Sequence, residues 1–322
     1  MRRQFKETVT NLAAVDPRVV LVFGDISVYL FNDFAERFPA QFYNLGICEN
    51  TLISVSAGLR SQGFIPFVHS IAPFMTERCV EQIKLDLCYN HFPANIVTCG
   101  ATYDYAWDGP THHCLMDLAI LRLLPDVDIF QPGSKTELDS LIRSQYDSPR
   151  TNYFRLSDHG HNIPVSIRYG KGEVIRNSGA PLTVITAGPI LANVVQACAD
   201  LNVNLLYFPT IKPFDNELLN HFRNTRMVVI HDATGLFETV CEVAERSVQR
   251  IGIPEEFVLC YGTIQDVWKT IRLDPASIRN RLESLLLTND GWPRSAVSQD
   301  PLLTNRETHG FTRGTHLQEG SF

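Results

Sequence analysis

A glutamate at the start of a predicted helix is the first residue that could do chemistry. Glu49 follows residues 44–48 (NLGIC), and the residues after it are largely apolar, as in a helix that packs on a core. The helix dipole and unpaired backbone N–H groups favour a carboxylate in a first helical turn, so a capping role alone would explain Glu49. Directed at a ligand instead, the same carboxyl group can hold or transfer a proton.

A polar loop at residues 108–113 (DGPTHH) carries the next candidates. Its glycine and proline bend the chain after a predicted strand, where side chains such as Asp108 and His112 can be directed at a ligand. Adjacent histidines, here His112 and His113, can also bind metals. Because no further histidine at HxH or HxxxH spacing and no carboxylate pair lies nearby, we expect no metal site in this chain. A solvated loop is the alternative interpretation.

Two more charged residues lie in or directly after predicted apolar segments. Asp25 comes after the apolar run at residues 19–23, and Arg155 lies within residues 154–157 (FRLS). The carboxyl ends of parallel strands form ligand sites in α/β proteins, so both side chains are candidates for such a site. Arg155 could bind a phosphate there, and a surface ion pair is the alternative for a lone arginine.

Short apolar runs alternate with helical patterns along most of the chain. We predict strands at residues 19–23, 64–68, 95–99, 127–130, 182–186, 204–208, 227–231 and 257–259. Such alternation is typical of α/β domains in which helices cover both faces of a mainly parallel sheet. The sequence therefore predicts two consecutive three-layer α/β domains, residues 1–160 and 181–289, with a linker at 161–180 and a polar, flexible tail at 290–322.

Composition excludes several classes of protein. The 322 residues carry a net charge of -7, which leaves no basic surplus for binding nucleic acid. No apolar run approaches the about 20 residues of a membrane span, and residues 1–7 (MRRQFKE) do not resemble a signal peptide, so we expect a cytoplasmic protein with no membrane partner. The eight cysteines form no CxxC pair. No GxGxxG, Walker or GxSxG motif occurs, which removes the usual dinucleotide, nucleotide and hydrolase sites.

Six short motifs, in order, resemble the second half of a transketolase. They are Arg3 with residues 7–9 (ETV), then residues 24–25 (GD), 46–49 (GICE), 63–67 (GFIPF), 108–112 (DGPTH) and 210–215 (TIKPFD). The resemblance covers about residues 2–288 and implies a pyrimidine-binding domain followed by a transketolase C-terminal-like domain. It also implies thiamine diphosphate as the cofactor.

The resemblance assigns cofactor-binding roles to five positions. Glu49 matches the glutamate that hydrogen-bonds the pyrimidine ring nitrogen and so activates the cofactor, a role that needs a buried carboxyl group. Phe64 and Phe67 match the aromatic pair that packs on the pyrimidine, and Ser70 stands where relatives carry a further aromatic partner. Asp25 resembles a residue that lines the same pocket.

Substrate-binding roles follow from the same resemblance. His112 corresponds to a histidine that faces the substrate and can relay a proton, and Asp108 belongs to its motif. Arg3 and Arg155 match arginines that hold the phosphate of the acceptor, as bidentate guanidinium groups can.

Several positions depart from the family pattern. A histidine that helps to hold sugar phosphates would fall on Gly100, and a serine that contacts phosphate would fall on or near Tyr29. Three aromatic residues, Tyr103, Tyr105 and Trp107, are expected to narrow the substrate entrance. Because these changes fall where the family binds its substrate, the resemblance supports thiamine diphosphate as the cofactor more strongly than pentose phosphates as the substrates.

The diphosphate-binding domain of the family has no counterpart in the sequence, because residues 24–26 (GDI) lack the asparagine that follows a GDG motif. The sequence therefore predicts the β-type subunit of a split transketolase, active only with a subunit that carries the diphosphate site and its Mg²⁺ or Ca²⁺, in an α2β2 assembly. The substrates would be sugars or sugar phosphates. Three alternatives stay open: a 1-deoxyxylulose-phosphate-synthase-like or 2-oxo acid dehydrogenase β-type subunit, a non-catalytic scaffold, and a flavodoxin-like or Rossmann binding protein.

Overall fold

The computed structural model describes residues 1–287, so the predicted tail at 290–322 lies outside the described residues. The strands are β1 Val19–Phe23, β2 Phe42–Asn44, β3 Ile65–Ile71, β4 Asn95–Cys99, β5 Val127–Phe130, β6 Thr151–Arg155, β7 Glu173–Arg176, β8 Leu182–Thr186, β9 Asn204–Tyr207, β10 Thr210–Lys212, β11 Arg226–Ile230 and β12 Gln249–Ile251.

The α-helices between these strands range from single turns to thirteen residues. They are α1 Arg2–Ala13, α2 Asn32–Arg37, α3 Glu49–Ser61, α4 Ala72–Met75, α5 Val80–Gln82, α6 Asp117–Arg122, α7 Lys135–Gln145, α8 Leu191–Ala197, α9 Asn216–His221, α10 Leu236–Ala244, α11 Ile264–Thr270 and α12 Pro275–Leu287. A π-helical segment, Ile83–Tyr89, continues α5, and a 3-10 segment, Ala106–Thr111, carries most of the loop identified above.

Seven strands form the first sheet, in the order β10-β5-β6-β4-β3-β1-β2. All pairs are parallel except β10 with β5. Every residue of β1, β4, β5 and β6 is buried, because helices cover both faces. The carboxyl ends of β1 to β4 therefore lie along one edge, and Asp25, Glu49 and His112 follow the ends of β1, β2 and β4.

Five strands form the second sheet, in the order β12-β11-β8-β9-β7, with β7 antiparallel to β9. Strand β7 lies within residues 161–180, so the segment predicted as a linker contributes an edge strand. Strand β10 lies in the second predicted domain by sequence, but it pairs with β5 of the first sheet, where Thr210 lies opposite Phe130. The two predicted domains are thus joined by backbone pairing as well as by side-chain packing.

Three clusters of buried apolar residues hold the helices and the two sheets together. One packs α1 and α7 on the first sheet through residues such as Phe5 and Leu138, and another packs α8, α11 and α12 on the second sheet. The third lies between the two sheets and includes Val20, Leu52 and Val229. The prediction of mainly parallel α/β architecture is confirmed.

Four strands have the predicted bounds, at residues 19–23, 95–99, 127–130 and 182–186. The prediction of a strand at 257–259 is wrong. Phe257 and Leu259 are exposed in that segment, and only Val258 packs on the core. The last strand of the described residues is β12, which was not predicted because its residues Gln249 and Arg250 are polar and form no apolar run.

Candidate active site

Glu49 begins helix α3 and lies buried beside the end of strand β3. Its side chain is 2% exposed, and Ser70 Oγ donates a hydrogen bond to Glu49 Oε1 at 3.2 Å. A Cβ at Gly24 would lie 3.0 Å from Ser70 Oγ and 2.8 Å from Leu52 Cδ1, so glycine lets strand β1 end close to this pair. The carboxylate bonds to side chains from other elements, which the capping interpretation does not explain.

An arginine and a phenylalanine that the sequence analysis missed lie next to Glu49. Arg78 Nη1 donates to Glu49 Oε2 at 2.8 Å, while about half of the arginine side chain remains exposed. Its guanidinium lies 4.6 Å from the ring centroid of Phe74, and the edge of the His112 ring meets Phe74 at 5.2 Å between centroids. Phe74 and Arg78 thereby connect Glu49 to His112.

The structure does not bring Phe64 and Phe67 to Glu49. Side chains alternate along a strand, so Phe67 points to the opposite face from Ser70, where it packs near Phe5 in the α1–α7 core. Phe64 precedes β3 and is 38% exposed. Phe74 is the aromatic residue that the structure places beside Arg78, one turn beyond the end of β3.

Asp25 lies at the carboxyl end of β1 and is exposed. Its backbone N–H donates to Asn44 Oδ1 at 3.0 Å, and Asn44 Nδ2 donates back to Asp25 Oδ1 at 3.1 Å. A φ of 67° puts Asp25 in the left-handed region, which bends the chain sharply after the strand. Asp25 therefore faces the segment that leads from Asn44 to Glu49.

The loop after β4 carries His112 at the edge of the site. Thr111 Oγ1 lies 2.9 Å from His112 Nδ1, and His112 is partly exposed. His113 is buried against the Tyr103 ring, and burial lowers the pKa of His113, with His112 nearby adding to the effect. Asp108 is exposed at the start of the loop. His112 is thus the histidine of this pair that a substrate can reach.

Tyr105 and Trp107 form an aromatic wall with His112. The ring centroid of Tyr105 lies 5.5 Å from that of Trp107 and 6.3 Å from that of His112. A Cβ at Gly100 would lie 2.4 Å from the Tyr105 ring, so this ring takes the space of any side chain at that position. Tyr103 and Tyr105 are both buried, so of the three aromatic residues expected at the entrance, Trp107 is the exposed one.

The assignment of Arg155 to substrate phosphate is contradicted by its burial. Arg155 is 1% exposed and pairs with the buried carboxylate of Asp117 at 2.6 Å. Its Nη2 donates to the carbonyl of Cys114 at 2.7 Å, and Tyr153 Oη donates to Asp117 at 2.5 Å. Burial acts to lower the pKa of the Arg155 guanidinium, but Asp117, together with Tyr153 and Cys114, raises that pKa above its usual value.

Helix α1 turns Arg2, and not Arg3, toward the rest of the chain. Arg2 shares the buried face with Phe5 and Val9, whereas Arg3 is exposed on the opposite face. Arg2 Nε and Nη2 donate to the Asp158 carboxylate at 3.1 and 3.0 Å. The spacing of Arg2, Phe5 and Val9 along one helix face is a signal in the sequence that identifies this arginine.

The donor set fits the pyrimidine half of thiamine diphosphate and offers nothing for a diphosphate-bound metal. A buried carboxylate that is paired with a half-exposed arginine can accept a hydrogen bond from a planar heterocycle. Within residues 1–287, no group of three or more His, Cys, Asp and Glu side chains is arranged to hold a metal ion. None of the described helices is both long and apolar enough to cross a membrane.

Comparison with known proteins identifies the class to which this fold and site belong. The family model described as transketolase, pyrimidine binding domain, matches residues 1–159. A protein of Phocaeicola vulgatus, described as a subunit of apulose-4-phosphate transketolase, is 31% identical over 297 residues, covering 86% of this chain and 94% of that protein. The chain belongs to the transketolase family, whose members use thiamine diphosphate.

The likeness extends to separate subunits that carry half of such an enzyme. A solved structure described as a split gene transketolase, inactive beta4 tetramer, superimposes with a TM-score of 0.78 at 26% identity, covering 88% of this chain and 97% of that chain. An uncharacterized 33.6 kDa protein in the fasciation locus of Rhodococcoides fascians is 33% identical over 211 residues, covering 66% of this chain and 67% of that protein. In sequence and fold, this chain corresponds to a split-transketolase subunit.

A second group of relatives is described as 1-deoxy-D-xylulose-5-phosphate synthases. The 1-deoxy-D-xylulose-5-phosphate synthase of Syntrophus aciditrophicus is 30% identical over 276 residues. The match covers 79% of this chain but 42% of that protein, so the chain spans less than half the length of this relative. These relatives agree with the alternative that the sequence left open.

Proposed function

We propose that this chain is the cofactor-activating half of a split, thiamine-diphosphate-dependent transketolase. In the complete enzyme, a two-carbon ketol unit passes from a ketose donor to an aldose acceptor. The observation that carries this proposal is the buried Glu49 carboxylate, which Ser70 and Arg78 hold at the carboxyl edge of the first sheet.

Thiamine diphosphate, when bound, supplies a nucleophilic carbon and an electron sink. Glu49 would hold the proton shared with the pyrimidine ring nitrogen, which is general acid–base chemistry at a fixed site. Ser70 orients one carboxylate oxygen, and Arg78 donates to the other. Phe74, in place of the predicted Phe64 and Phe67, would give the ring an aromatic contact. Asp25, exposed at the carboxyl end of β1, would line the same pocket.

His112 would act on the substrate. Its ring is partly exposed, sits against Phe74 and lies beside Thr111, so its orientation is fixed by contacts on two sides. An imidazole in this position can form a hydrogen bond with a sugar hydroxyl and can relay a proton. Asp108, exposed at the start of the same loop, would contact the sugar from the partner side.

The partner would supply the diphosphate site and the Mg²⁺ or Ca²⁺, in an α2β2 assembly. Three large apolar side chains follow the strand ends around Glu49 and are exposed: Tyr29 at 92%, Ile47 at 74% and Trp107 at 57%. Exposed apolar residues around a polar centre are typical of protein interfaces. Their place at the edge that carries Glu49 supports a cofactor site shared between two chains, acting on carbohydrates in the cytoplasm.

Product analysis separates this proposal from its alternatives. The chain is combined with a subunit that carries the diphosphate-binding domain, thiamine diphosphate and Mg²⁺, and receives a ¹³C-labelled ketose and an unlabelled aldose. We expect the label in a ketose two carbons longer than the acceptor, with no CO₂ released, as measured by NMR.

Pyruvate is the control donor in that assay. Decarboxylation of pyruvate would contradict ketol transfer and favour the 1-deoxyxylulose-phosphate-synthase or dehydrogenase alternative, which matches the second group of relatives. Failure of the complex to bind the cofactor would instead favour a scaffold. The family relationship leaves the flavodoxin-like and Rossmann alternative without support.

A further inference from the structure

The loop that carries Asp108 and His112 contacts the second predicted domain where it ends. Thr234, which follows strand β11 of the second sheet, donates twice to the carbonyl of Leu115. The backbone N–H of Thr234 makes one of these hydrogen bonds at 2.9 Å, and its Oγ1 makes the other at 2.7 Å. The second sheet therefore fixes the point at which the loop leads into helix α6.

The base of the same loop is closed by two backbone hydrogen bonds. The N–H of Thr102 donates to the carbonyl of Cys114 at 3.2 Å, and the N–H of Cys114 donates to the carbonyl of Thr102 at 2.9 Å. Between them, Tyr103 is buried in the apolar cluster of the second sheet. Because the base is fixed, the backbone of the tip, residues 108–112, decides where the polar side chains of the loop point.

The tip is a turn around Gly109, whose φ is 73°. The backbone N–H of His112 donates to the carbonyl of Gly109 at 3.0 Å, and Thr111 Oγ1 donates to the carbonyl of Asp108 at 3.3 Å. Asp108 is joined directly to Gly109 in the chain. A shift of the Gly109 backbone would therefore move both Asp108 and His112.

A tyrosine of the second predicted domain lies against this glycine. A Cβ at Gly109 would lie 2.5 Å from Tyr261 Cε1 and 3.1 Å from Tyr261 Oη, and its three nearest atoms all belong to Tyr261. The edge of the Tyr261 ring thus rests on the backbone of the tip. Glycine is needed at position 109 for two reasons, the positive φ and the close approach of this ring.

Tyr261 belongs to a segment that is anchored to the core of the second predicted domain. In residues 257–261, Val258 is buried in the cluster of the second sheet, whereas Phe257, Leu259 and Tyr261 are exposed. Val258 holds the segment in place, so the Tyr261 ring is presented to the loop from a fixed support. Tyr261 is 64% exposed because its ring has the loop on one side only.

We infer that Tyr261 is a positioning residue, which holds the tip so that Asp108 and His112 face the substrate. The inference rests on the proposed function, and it gives the second predicted domain a part in substrate binding. Tyr261 acts through Gly109, and the contacts that hold Glu49 come from Ser70 and Arg78. Its removal should therefore affect the substrate and leave cofactor binding unchanged.

Hydrogen–deuterium exchange of the full chain, read by mass spectrometry, tests the contact without any assay of activity. Tyr261→Ala should speed amide exchange in residues 106–112 at least about fivefold, because the tip then opens more often. Tyr261→Phe keeps the ring and should exchange as the wild type does. The matched control is Phe257→Ala, which removes an exposed aromatic ring from the same segment and should leave the exchange of the loop unchanged.

Kinetics of the reconstituted complex then test the effect on the substrate. Tyr261→Ala should raise KM for the aldose acceptor and lower kcat/KM by about 10- to 100-fold, because the groups that orient the substrate are displaced. The affinity for thiamine diphosphate should not change, and Tyr261→Phe should retain the kcat/KM of the wild type. Assembly of each variant with the partner is checked by light scattering.

Three results would overturn the inference: unchanged loop exchange in Tyr261→Ala, equal effects of Tyr261→Ala and Tyr261→Phe, or faster exchange with an unchanged kcat/KM. Loss of assembly at unchanged exchange would also overturn it and would assign Tyr261 to the subunit interface. Absence of ketol transfer by the wild-type complex, alongside the expected change in exchange, would overturn only the proposed function.

Discussion

Replacing Glu49 with glutamine is expected to lower kcat of the assembled enzyme by about 10²- to 10⁴-fold. The amide keeps the size of the side chain, and its one carbonyl oxygen can accept from Ser70 or from Arg78, which bond to different carboxylate oxygens of Glu49. It cannot share a proton with a pyrimidine nitrogen in the way a carboxyl group can. The loss should therefore appear in the chemical step, as measured by steady-state kinetics of ketol transfer at saturating cofactor.

Glu81→Gln is the matched control for that variant. Glu81 is an exposed glutamate on the short helix α5, and its replacement should leave kcat unchanged. Both variants should assemble with the partner, as checked by size-exclusion chromatography with light scattering. Full activity in an assembled Glu49→Gln enzyme would contradict the role of this carboxylate in cofactor activation.

Replacing Arg155 with methionine is expected to destabilise the chain by about 3–5 kcal/mol, because it leaves the buried charge of Asp117 without its partner. Tyr153 would then be the only remaining side chain that donates to this carboxylate among the bonds described above. The change should appear as a large fall in the urea concentration at the midpoint of unfolding.

The double variant Arg155→Met, Asp117→Leu tests the cause of that loss. Because removing both charges removes the unpaired carboxylate, it should recover a large part of the lost stability. If Arg155→Met left the unfolding midpoint unchanged and only raised KM for a phosphorylated acceptor, Arg155 would be a substrate ligand and its structural role would be wrong.

Periodicity and local motifs were sufficient to predict the architecture and the place of Glu49 at the start of a helix. Strands β1, β4, β5 and β8 are buried on both faces, so each is mostly apolar in sequence: β1 is apolar throughout, and the others have single polar residues such as Asp128 in β5. Glu49 could be placed because it begins a helix directly after a motif. Strand β7 was missed because an antiparallel edge strand has little burial to mark it.

The side chains around Glu49 could not be predicted as well, because their partners are distant in sequence. The Phe67 assignment failed because one residue decides which face of strand β3 a side chain occupies, and Ser70 has the opposite parity. Arg155 meets Asp117, which is 38 residues away, and no local pattern reports such a pair. Phe74 lies in the single turn of α4 and Arg78 in the non-helical turn after it, and both segments are too short to show a periodicity.

Cofactor binding by each half of the enzyme tests the central claim most directly. Isothermal titration with thiamine diphosphate and Mg²⁺ would be made on this chain alone, on a partner subunit with the diphosphate-binding domain alone, and on their mixture. We predict tight, stoichiometric binding by the mixture and at least about 100-fold weaker binding by either chain, because each alone offers part of the contacts. Binding by this chain alone at the affinity of the mixture would contradict a cofactor site shared between two subunits.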